Sequence, residues 1–376
     1  MRDASPLTPR AARGSRHIVL LGAGHAHLQV LKHLAVQPLA ATVVTLITPY
    51  SHQMVASMLP GFVTGRYSPP DFTIALQPLV QRAGLRWITQ NIAALDATSQ
   101  TLQLDDGSSL GFDLLSVNTL PTQDRARVEQ VIPGAREHAL FVHPLEAFVE
   151  LWSRVTAMGD IQPLRITIIG AGAGGIELAF AVRQRLPNAA VTLLCGAKPP
   201  ASRCKPQMQV RIVGLLKQRN ITVLQDRAVA IKSGFVQLGC GADLACDVPL
   251  LATGTAPQPW LATSRLALDE RGFIAVDTTQ RSTSHNHVFA SGDICSRSDQ
   301  SQATCGSYDR LAGQTLTYNL VAAVTRGALK ARQPPTVAVN LLACGDRYAV
   351  GSWGNYSFQG RWAQWLKDWI DRRLIE

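Results

Sequence analysis

Two stretches of the chain share one order of hydrophobic and polar positions. Residues 18–31 read IVLLGAGHAHLQVL, an apolar run followed by glycines and then by apolar residues three or four positions apart. Residues 165–182 read RITIIGAGAGGIELAFAV and repeat this order. An unbroken apolar run predicts a strand of a buried parallel sheet, and the spacing after the glycines predicts a helix. We therefore expect an α/β fold with two similar strand–turn–helix units.

Further strands and one long connection are predicted around these units. Second strands are predicted at 42–47 and 191–194, where short apolar runs follow each helix. Apolar runs at 250–257 and 286–295 each lead into a glycine and predict two more buried strands. Residues 51–70 are rich in Met, Pro and Gly and predict a long connection, of the kind that often binds ligands.

The middle of the chain predicts a helix followed by a boundary. Residues 143–158 have the spacing of one amphipathic helix. Glycine and proline then enclose residues 159–163, and this break predicts the end of a domain.

Both glycine turns have the composition of a dinucleotide-binding turn. Gly170, Gly172 and Gly175 fit the GxGxxG pattern, whereas the first turn has Gly22 and Gly24 with His27 in the third position. Such glycines let the backbone approach a pyrophosphate, and the helix that follows offers free N–H groups to it. Two units of one type predict that one chain holds two nucleotides.

The position expected to bind a ribose is unusual in both units. The dinucleotide pattern expects Asp or Glu at the end of the second strand, but the residues are Thr48 and Cys195. The Thr48 hydroxyl can still make one hydrogen bond. Lys198 and Arg203 follow Cys195 and are placed to meet a 2′-phosphate, so NADH and NADPH both remain open.

Charge and cysteine content narrow the class of partner. The 376-residue chain has a formal net charge of +10, which favours an anionic partner. Basic residues are not interleaved with aromatic residues in a cluster, so no nucleic-acid partner is predicted. The seven cysteines form neither CxxC nor a zinc-site spacing, which predicts reduced thiols in a cytoplasmic protein and no metal. Residues 1–16 are polar and predict a disordered arm, with neither a signal peptide nor a transmembrane run.

Several motifs together resemble a known superfamily. ATG at 252–254 and FASGD at 289–293, after two glycine turns, resemble the pyridine nucleotide-disulfide oxidoreductases, and GIELA at 175–179 resembles type II NADH dehydrogenases. GAGHAHLQVL, MLPGFVTGRYS, LLACGDRYAVGSWG and GRWAQWLKDWIDRRL resemble the flavoprotein module often fused upstream of selenide, water dikinase. The chain differs from the family at 118–120, where Asn-Thr-Leu stands in place of an Ile-Gly-Ser-like turn.

The resemblance implies two Rossmann-like dinucleotide-binding domains, with an NAD(P)H domain inserted into an FAD domain, and a short C-terminal segment. The expected boundaries are 17–158 and 281–335 for the FAD domain, 159–280 for the NAD(P)H domain and 336–376 for the C-terminal segment.

The resemblance also implies which residues contact the two cofactors. Glu177 is expected to be catalytic and to tune proton transfer, although a helix-dipole role is the alternative. His25 and His27 either donate to the pyrophosphate of FAD or pack locally. The expected FAD contacts are Gly22, Ala23, Gly24, His25, His27, Thr48, Pro60, Thr253, Gly254, Gly292 and Asp293. The expected NAD(P)H contacts are Gly170, Gly172, Gly174, Gly175 and Lys198.

The implied function is transfer of a hydride from NAD(P)H to flavin and then of electrons to a quinone-like or other small acceptor. No cysteine precedes Cys195, which excludes the dithiol relay of true disulfide reductases. Two alternatives remain. Cys305 or Cys344 would act as a thiolate in a sulfide- or selenide-handling enzyme linked to selenophosphate synthesis, or the chain would be a catalytically quiet flavin-binding module for a partner such as selenide, water dikinase.

The last predicted helix has an apolar stripe with three tryptophans. Its opposite side is expected to be charged. A membrane interface would suit such a helix, and so would packing on its own domain, on a second copy or on a fusion partner. We therefore expect a cytoplasmic protein that residues 360–376 can hold at the inner face of a membrane. The stripe is formed by Trp362, Trp365, Leu366, Trp369, Ile370 and Leu374.

Overall fold

A computed structural model describes residues 15–120, 122–297, 299, 306–333 and 339–375. The predicted arm therefore lies almost wholly outside the described residues. The α-helices are α1 (His25–Leu34), α2 (Leu59–Val63), α3 (Gln77–Arg82), α4 (Arg125–Val131), α5 (Ala135–His138), α6 (Leu145–Ile161), α7 (Ala173–Arg185), α8 (Pro206–Gln218), α9 (Gly306–Thr325) and α10 (Arg361–Ile375). Single 3-10 turns occupy Ala56–Met58, Pro69–Phe72, Pro259–Thr263 and Gly292–Ile294.

The strands alternate with these helices. They are β1 (Arg16–Leu21), β2 (Thr42–Ile47), β3 (His52–Met54), β4 (Thr73–Ala75), β5 (Arg86–Ile88), β6 (Ile92–Asp96), β7 (Thr101–Leu104), β8 (Ser109–Gly111), β9 (Leu114–Val117), β10 (Leu140–Phe141), β11 (Arg165–Ile169), β12 (Ala190–Leu194), β13 (Thr222–Leu224), β14 (Ala228–Lys232), β15 (Phe235–Leu238), β16 (Asp243–Ala245), β17 (Val248–Leu251), β18 (Ile274–Val276), β19 (Val288–Ala290), β20 (Cys295–Arg297), β21 (Val339–Ala343), β22 (Ala349–Trp353) and β23 (Tyr356–Gly360).

The described residues divide into two compact units. The first unit takes its residues from Met1–Gln53, Ile74–Pro121 and Ala256–Thr336, and the second from Met54–Thr73, Thr122–Thr255 and Val337–Glu376. Each unit contains one glycine turn, so the α/β fold with two Rossmann-like units is confirmed. The expected boundaries differ from this division, because residues 122–158 belong with the second unit and 256–280 with the first.

The first unit is built on a parallel sheet with the strand order β19-β9-β1-β2-β5. The last four residues of β1 and of β2 are buried, because helices and loops cover both faces of the sheet. An antiparallel sheet of β6, β7 and β8 extends the unit. Its apolar residues join those of the parallel sheet in one core, which includes Val19, Leu102, Leu115 and Val288.

The second unit repeats this plan with a parallel sheet of order β10-β17-β11-β12-β13. Two antiparallel sheets accompany it, one of β14, β15 and β16 and one of β21, β22 and β23. Ile169, Leu194 and Leu251 end the three central strands and lie in the same core. Hydrophobic burial at these strand ends fixes the loops that follow them.

Two sequence expectations about local structure are wrong. The predicted break at 159–163 does not begin at Gly159, because α6 continues to Ile161. A Cβ at Gly159 would lie 2.7 Å from Leu186 Cδ2, so glycine there lets α6 pack closely against Leu186 at the end of α7. Residues 51–70 are not a plain loop either, since β3, two 3-10 turns and α2 occupy much of this stretch. Among the described residues, no helix combines the length and apolar character needed to cross a membrane.

Candidate functional site

The first site lies at the carboxyl edge of the sheet in the first unit. Leu21 of β1 pairs with Ile47 of β2 and with Val117 of β9, and Val117 pairs with Ala290 of β19. The residues that follow these strands therefore meet at one edge. The expected FAD contacts Gly22, Ala23, Gly24, Thr48, Gly292 and Asp293 all lie in these positions.

Asn118 connects the loops at this edge and was missed by the sequence analysis. Its Oδ1 accepts a hydrogen bond from the His27 backbone N–H at 3.1 Å, and its Nδ2 donates to the Ser291 carbonyl at 2.7 Å. Its own carbonyl accepts from the Gly24 N–H at 3.0 Å. A buried amide that is satisfied in this way fixes three chain segments relative to one another. The sequence signal was a polar residue directly after the apolar run of β9.

Asn118 also explains the glycines of the first unit. A Cβ at Gly22 would lie 2.7 Å from the Asn118 carbonyl oxygen, and one at Gly24 would lie 2.5 Å from Asn118 Oδ1. A Cβ at Gly292 would lie 2.7 Å from Asn118 Nδ2. Contacts this short do not occur between real Cβ atoms and buried polar groups. The three glycines are therefore required by packing as well as by any ligand.

His27 has a structural role in place of the expected contact with FAD. Its side chain is fully buried, with Nδ1 2.6 Å from the Gly22 carbonyl and Nε2 2.8 Å from Ser116 Oγ. Because both ring nitrogens are already occupied, the ring offers no donor to a pyrophosphate. Burial lowers the pKa of His27 to about 4 and keeps the ring neutral at pH 7. His25, whose pKa burial also lowers to about 4, lies nearer the surface at the first position of α1.

The start of α1 suits an anionic ligand. Gly24 is the N-cap and has no side chain to cap the helix, Asn118 occupies the His27 N–H, and no acidic residue lies in the first turn. Asp293 lies in the 3-10 turn after β19 with its side chain exposed, and desolvation by the surrounding protein raises the pKa of its carboxyl. Helix N–H groups for a pyrophosphate and acceptors for sugar hydroxyls are the groups that FAD requires. The residues at this edge therefore fit FAD.

The second site lies at the equivalent edge of the second unit. Ile169 pairs with Leu194 and with Leu251, which brings the residues after β11, β12 and β17 together. A Cβ at Gly170 would lie 2.3 Å from the Ala252 carbonyl oxygen and 3.0 Å from Thr253 Cα. Thr253 and Gly254, expected to contact FAD, are thus placed beside the glycine turn expected to bind NAD(P)H.

The four glycines of this turn differ in what they do. A Cβ at Gly175 would lie 2.0 Å from the Gly170 carbonyl oxygen, so Gly170 and Gly175 are required by close backbone approach. A Cβ at Gly172 or Gly174 would meet no protein atom within 4 Å. Gly172 caps α7 without any side-chain hydrogen bond. Open space above an uncapped helix start fits the pyrophosphate of NAD(P)H.

The ribose end of the second site carries a thiol and a lysine. Cys195 is half-buried, and burial raises the pKa of its thiol to about 11, so it stays neutral. Lys198 is exposed in the loop that follows β12. Lys198 therefore follows Cys195 on the surface, and the Gly196 N–H between them donates to the Asp226 carbonyl at 2.8 Å.

Glu177 belongs to a buried ion cluster that it forms with Lys367 and Asp371. Glu177 is on α7, and the other two are on α10. Lys367 Nζ lies 3.9 Å from Glu177 Oε1 and donates to Asp371 Oδ2 at 2.8 Å. Their side chains are only 13 %, 7 % and 8 % exposed. The expected helix-dipole role of Glu177 is replaced by this contact with another helix.

Burial and charge act in opposite directions in the cluster. Burial raises the pKa of the Glu177 carboxyl, although Lys367 and a hydrogen bond from the Ala343 N–H at 2.8 Å oppose this shift. Burial alone would lower the pKa of Lys367, but Glu177 and Asp371 outweigh it and raise that pKa. Lys367 Nζ also donates to the Ser57 carbonyl at 2.8 Å. The neighbouring carboxylates thus raise the pKa of Lys367, and burial raises that of Glu177.

A small cavity beside the cluster, here called the glutamate cavity, brings two expected site residues together. Its volume is about 180 Å³, and both Pro60 and Glu177 line it. The remaining lining is a mixture of small, polar and basic residues, formed by Gly61, Thr64, Gly65, Arg66, Ala181, Gln184, Ala343, Gly345, Arg347 and Gln364. The cavity is therefore small and mixed in polarity, with Glu177 at its wall.

Helix α10 is oriented with its polar side inward. Gln364, Lys367 and Asp371 are buried, whereas Trp362, Trp365 and Trp369 are 56 %, 67 % and 43 % exposed. These three tryptophans are called the tryptophan face below. The other stripe residues, Leu366, Ile370 and Leu374, are partly buried, and Trp362 stacks on Phe358 of β23 with the ring centroids 4.8 Å apart. The expected stripe therefore packs in part on its own unit and leaves the tryptophans partly exposed.

Two cysteines were candidates for thiolate chemistry. Cys344 is buried, its thiol donates to the Leu342 carbonyl at 3.5 Å, and burial raises its pKa far above the ordinary value. It is therefore not a reactive thiolate at neutral pH. Cys305 lies outside the described residues.

Comparison with known proteins places these features in one family. Residues 16–307 match the family described as pyridine nucleotide-disulphide oxidoreductase. The chain is 26 % identical to the ferredoxin–NAD(+) reductase component of the anthranilate 1,2-dioxygenase system of Burkholderia cepacia, over 73 % of this chain and 62 % of that protein. It is 23 % identical to the type II NADH:quinone oxidoreductase of Staphylococcus saprophyticus, over 59 % of this chain and 58 % of the relative.

A solved structure supports the same fold. The sulfide:quinone oxidoreductase of the hyperthermophilic bacterium Aquifex aeolicus superposes with a TM-score of 0.78 at 14 % identity, covering 96 % of this chain and 90 % of that one. The chain spans less than two thirds of the length of either sequence relative described above.

Proposed function

The chain belongs to the pyridine nucleotide-disulphide oxidoreductase family, and we propose that its electron acceptor is a quinone-like molecule reduced at the glutamate cavity. As a member of this family it is an oxidoreductase that uses FAD and NAD(P)H. FAD, when bound, accepts a hydride from NAD(P)H and supplies the electrons for the acceptor. Residues of this chain bind the two cofactors and supply the proton to the acceptor.

The observation that carries the proposal is the buried ion cluster at the cavity. Reduction of a quinone to a hydroquinone takes up two electrons and two protons. Lys367 holds a proton at Nζ, and the raised pKa of Glu177 makes its carboxyl a further site for a proton. A general acid is effective when its pKa lies near the working pH. Glu177 therefore acts as the proton donor to the acceptor, and Lys367 and Asp371 position it.

The two glycine turns bind different cofactors. Gly24, Thr48 and Asp293 at the edge of the first unit hold FAD, and Gly172 at the start of α7 leaves room for the pyrophosphate of NAD(P)H. The exposed Lys198 suits a 2′-phosphate and supports use of NADPH as well as NADH.

The test compares two acceptors in Glu177→Gln. Ferricyanide takes electrons without protons, whereas a water-soluble quinone needs both. We expect quinone reduction to fall by about 10²- to 10⁴-fold, the usual contribution of a general acid, with ferricyanide reduction unchanged. Glu150→Gln on the exposed side of α6 is the matched control. Equal loss with both acceptors would place the defect before the acceptor step and refute the assignment.

We also propose that the tryptophan face makes a peripheral contact with a membrane, where a lipid-soluble quinone would be available. Tryptophans at a helix surface favour the interfacial region of a bilayer. Trp362→Gln, Trp365→Gln and Trp369→Gln together should reduce binding to lipid vesicles without loss of bound FAD. If the unaltered protein ignores vesicles but binds a selenide, water dikinase through this face, the membrane contact is wrong and a protein partner takes its place.

A further inference from the structure

A second cavity lies against α10 and shares Arg66, Arg347 and Gln364 with the lining of the glutamate cavity. Its volume is about 770 Å³, within the range of ligand pockets. Four arginines outnumber two aspartates in its lining, and it is called the arginine pocket below. The lining consists of Met58, Arg66, Tyr67, Asp71, Arg347, Arg361, Gln364, Trp365, Asp368, Arg372 and Ile375.

The two carboxylates of the arginine pocket are already occupied. Asp368 Oδ2 accepts from Arg66 Nη1 at 2.8 Å, and Asp368 Oδ1 accepts from Gln364 Nε2 at 2.8 Å. Asp71 Oδ2 accepts from both the N–H and the hydroxyl of Ser68 at 2.7 Å. The hydrogen bonds from Ser68 lower the pKa of the Asp71 carboxyl, and the charge of Arg372 contributes to that shift, although the two groups form no ion pair within 4.0 Å.

Three further arginines of the pocket form no close ion pair within the part of the chain that the structure describes. Among the described side chains, no carboxylate oxygen lies within 4.0 Å of the guanidinium nitrogens of Arg347, Arg361 or Arg372. Three unpaired cations around one cavity repel one another and attract an anion. The planar guanidinium group also matches phosphate oxygens in pairs, which a lysine cannot do.

The position of Trp365 decides which phosphate compound fits. This residue lines the arginine pocket and also belongs to the tryptophan face, so the two surfaces adjoin on α10. Met58 and Ile375 add apolar surface to the pocket. A soluble phosphate would use the arginines and leave three tryptophans in water. An anionic phospholipid places its phosphate in the pocket and its apolar part beside the tryptophans.

We propose that the arginine pocket binds the phosphate of an anionic phospholipid headgroup. This inference rests on the membrane contact proposed above and adds a lipid specificity to it. The pocket then fixes α10 at an anionic surface, while the opposite side of the same helix keeps Lys367 in the buried ion cluster. Electrostatic attraction to such a surface weakens as salt is added.

The experiment measures binding of the FAD-loaded protein to vesicles of phosphatidylcholine with and without phosphatidylglycerol. The variants are Arg361→Gln and Arg372→Gln, which lie in the arginine pocket but not in the glutamate cavity. Arg154→Gln, exposed on α6, changes the net charge equally and is the control. Each pocket variant should lose about fivefold in binding to phosphatidylglycerol vesicles, the effect of one basic residue near an anionic surface. Binding to pure phosphatidylcholine should not change.

Two results would overturn the inference. If Arg154→Gln weakens binding as much as the pocket variants, net charge and not the pocket attracts the lipid. If inorganic phosphate or glycerol 3-phosphate binds the protein tightly while phosphatidylglycerol vesicles do not, the ligand is a soluble phosphate.

An assay with a water-soluble quinone in the absence of vesicles distinguishes failure of the lipid proposal from failure of the acceptor proposal. Normal quinone reduction without vesicle binding refutes this inference alone, and vesicle binding without quinone reduction refutes the acceptor assignment alone.

Discussion

Substitution of Gly172 by valine should weaken the binding of NAD(P)H and leave folding unchanged. The backbone of Gly172 has φ −70° and ψ 177°, which valine adopts without strain. A Cβ there would meet no protein atom within 4 Å. Gly170 and Gly175 do not offer the same test, because a side chain at either would strike the backbone. We therefore expect Gly172→Val to fold normally.

The size of the effect follows from the uncapped start of α7. No side chain of the described residues accepts from the first N–H groups of this helix, so a pyrophosphate is the acceptor they lack. Valine would hold the pyrophosphate away from them. Loss of one hydrogen bond to a charged group costs about 1.5–3 kcal/mol, which weakens NAD(P)H binding by roughly 10- to 150-fold.

The assay is rapid mixing of the FAD-loaded variant with increasing NADH or NADPH while the flavin absorbance is followed. The concentration for half-maximal reduction rate should rise, and the bound FAD should remain at the level of the unaltered protein. Gly214→Val is the matched control, because Gly214 is exposed in α8 and also has open space around its Cα. Loss of FAD from Gly172→Val, or an equal defect in Gly214→Val, would show that the two glycine turns have been assigned wrongly.

Three further outcomes are expected in the first unit. Asp293→Ala should weaken FAD roughly 10- to 150-fold through loss of one charged hydrogen bond, measured by flavin release on dilution; unchanged retention would contradict the assignment. Asn118→Ala should lower the free energy of unfolding by on the order of 2–4 kcal/mol, because two buried backbone groups lose their partner; a thermal melt that matches the unaltered protein would contradict this. Burial lowers the pKa of His27 from 6.5 to about 4, so between these pH values the unfolded chain binds more protons than the folded chain. The free energy of unfolding therefore falls as the pH is lowered from 6.5 to about 4, by about 3 kcal/mol in all. His27→Gln should flatten that part of the pH profile in denaturant titrations, and a profile that keeps its slope would exclude His27 as the cause.

Hydrophobic periodicity alone predicts the parallel sheets well. The predicted strand 42–47 coincides with β2, and 191–194 differs from β12 by one residue at its start. Buried parallel strands are apolar on both faces, so their limits coincide with the limits of the apolar run. The glycines that follow them mark the carboxyl edge for the same reason. This part of each candidate site is therefore readable from the sequence.

Contacts between distant residues explain what the sequence does not predict. Asn118 lies 91 residues after His27 and 173 residues before Ser291, the two residues that its side chain joins. Its neighbours in the sequence give no sign of these partners. His27 was open to two interpretations because both of its own partners are also set by the fold, and only their positions exclude a role at the pyrophosphate.

Helix α10 shows why an amphipathic pattern fixes a helix but not its orientation. The helix has the predicted apolar stripe, but its polar side is the more deeply buried. Glu177 and Ser57 of the second unit provide the partners that Lys367 needs there. Burying a charge is unfavourable without such partners and tolerable with them. The tryptophan face stays partly exposed, although Trp362 stacks on Phe358 of β23. Substitutions on the two sides of α10 should therefore have separate effects. Changes at Lys367 should alter the positioning of Glu177, and changes at the tryptophans should alter surface attachment.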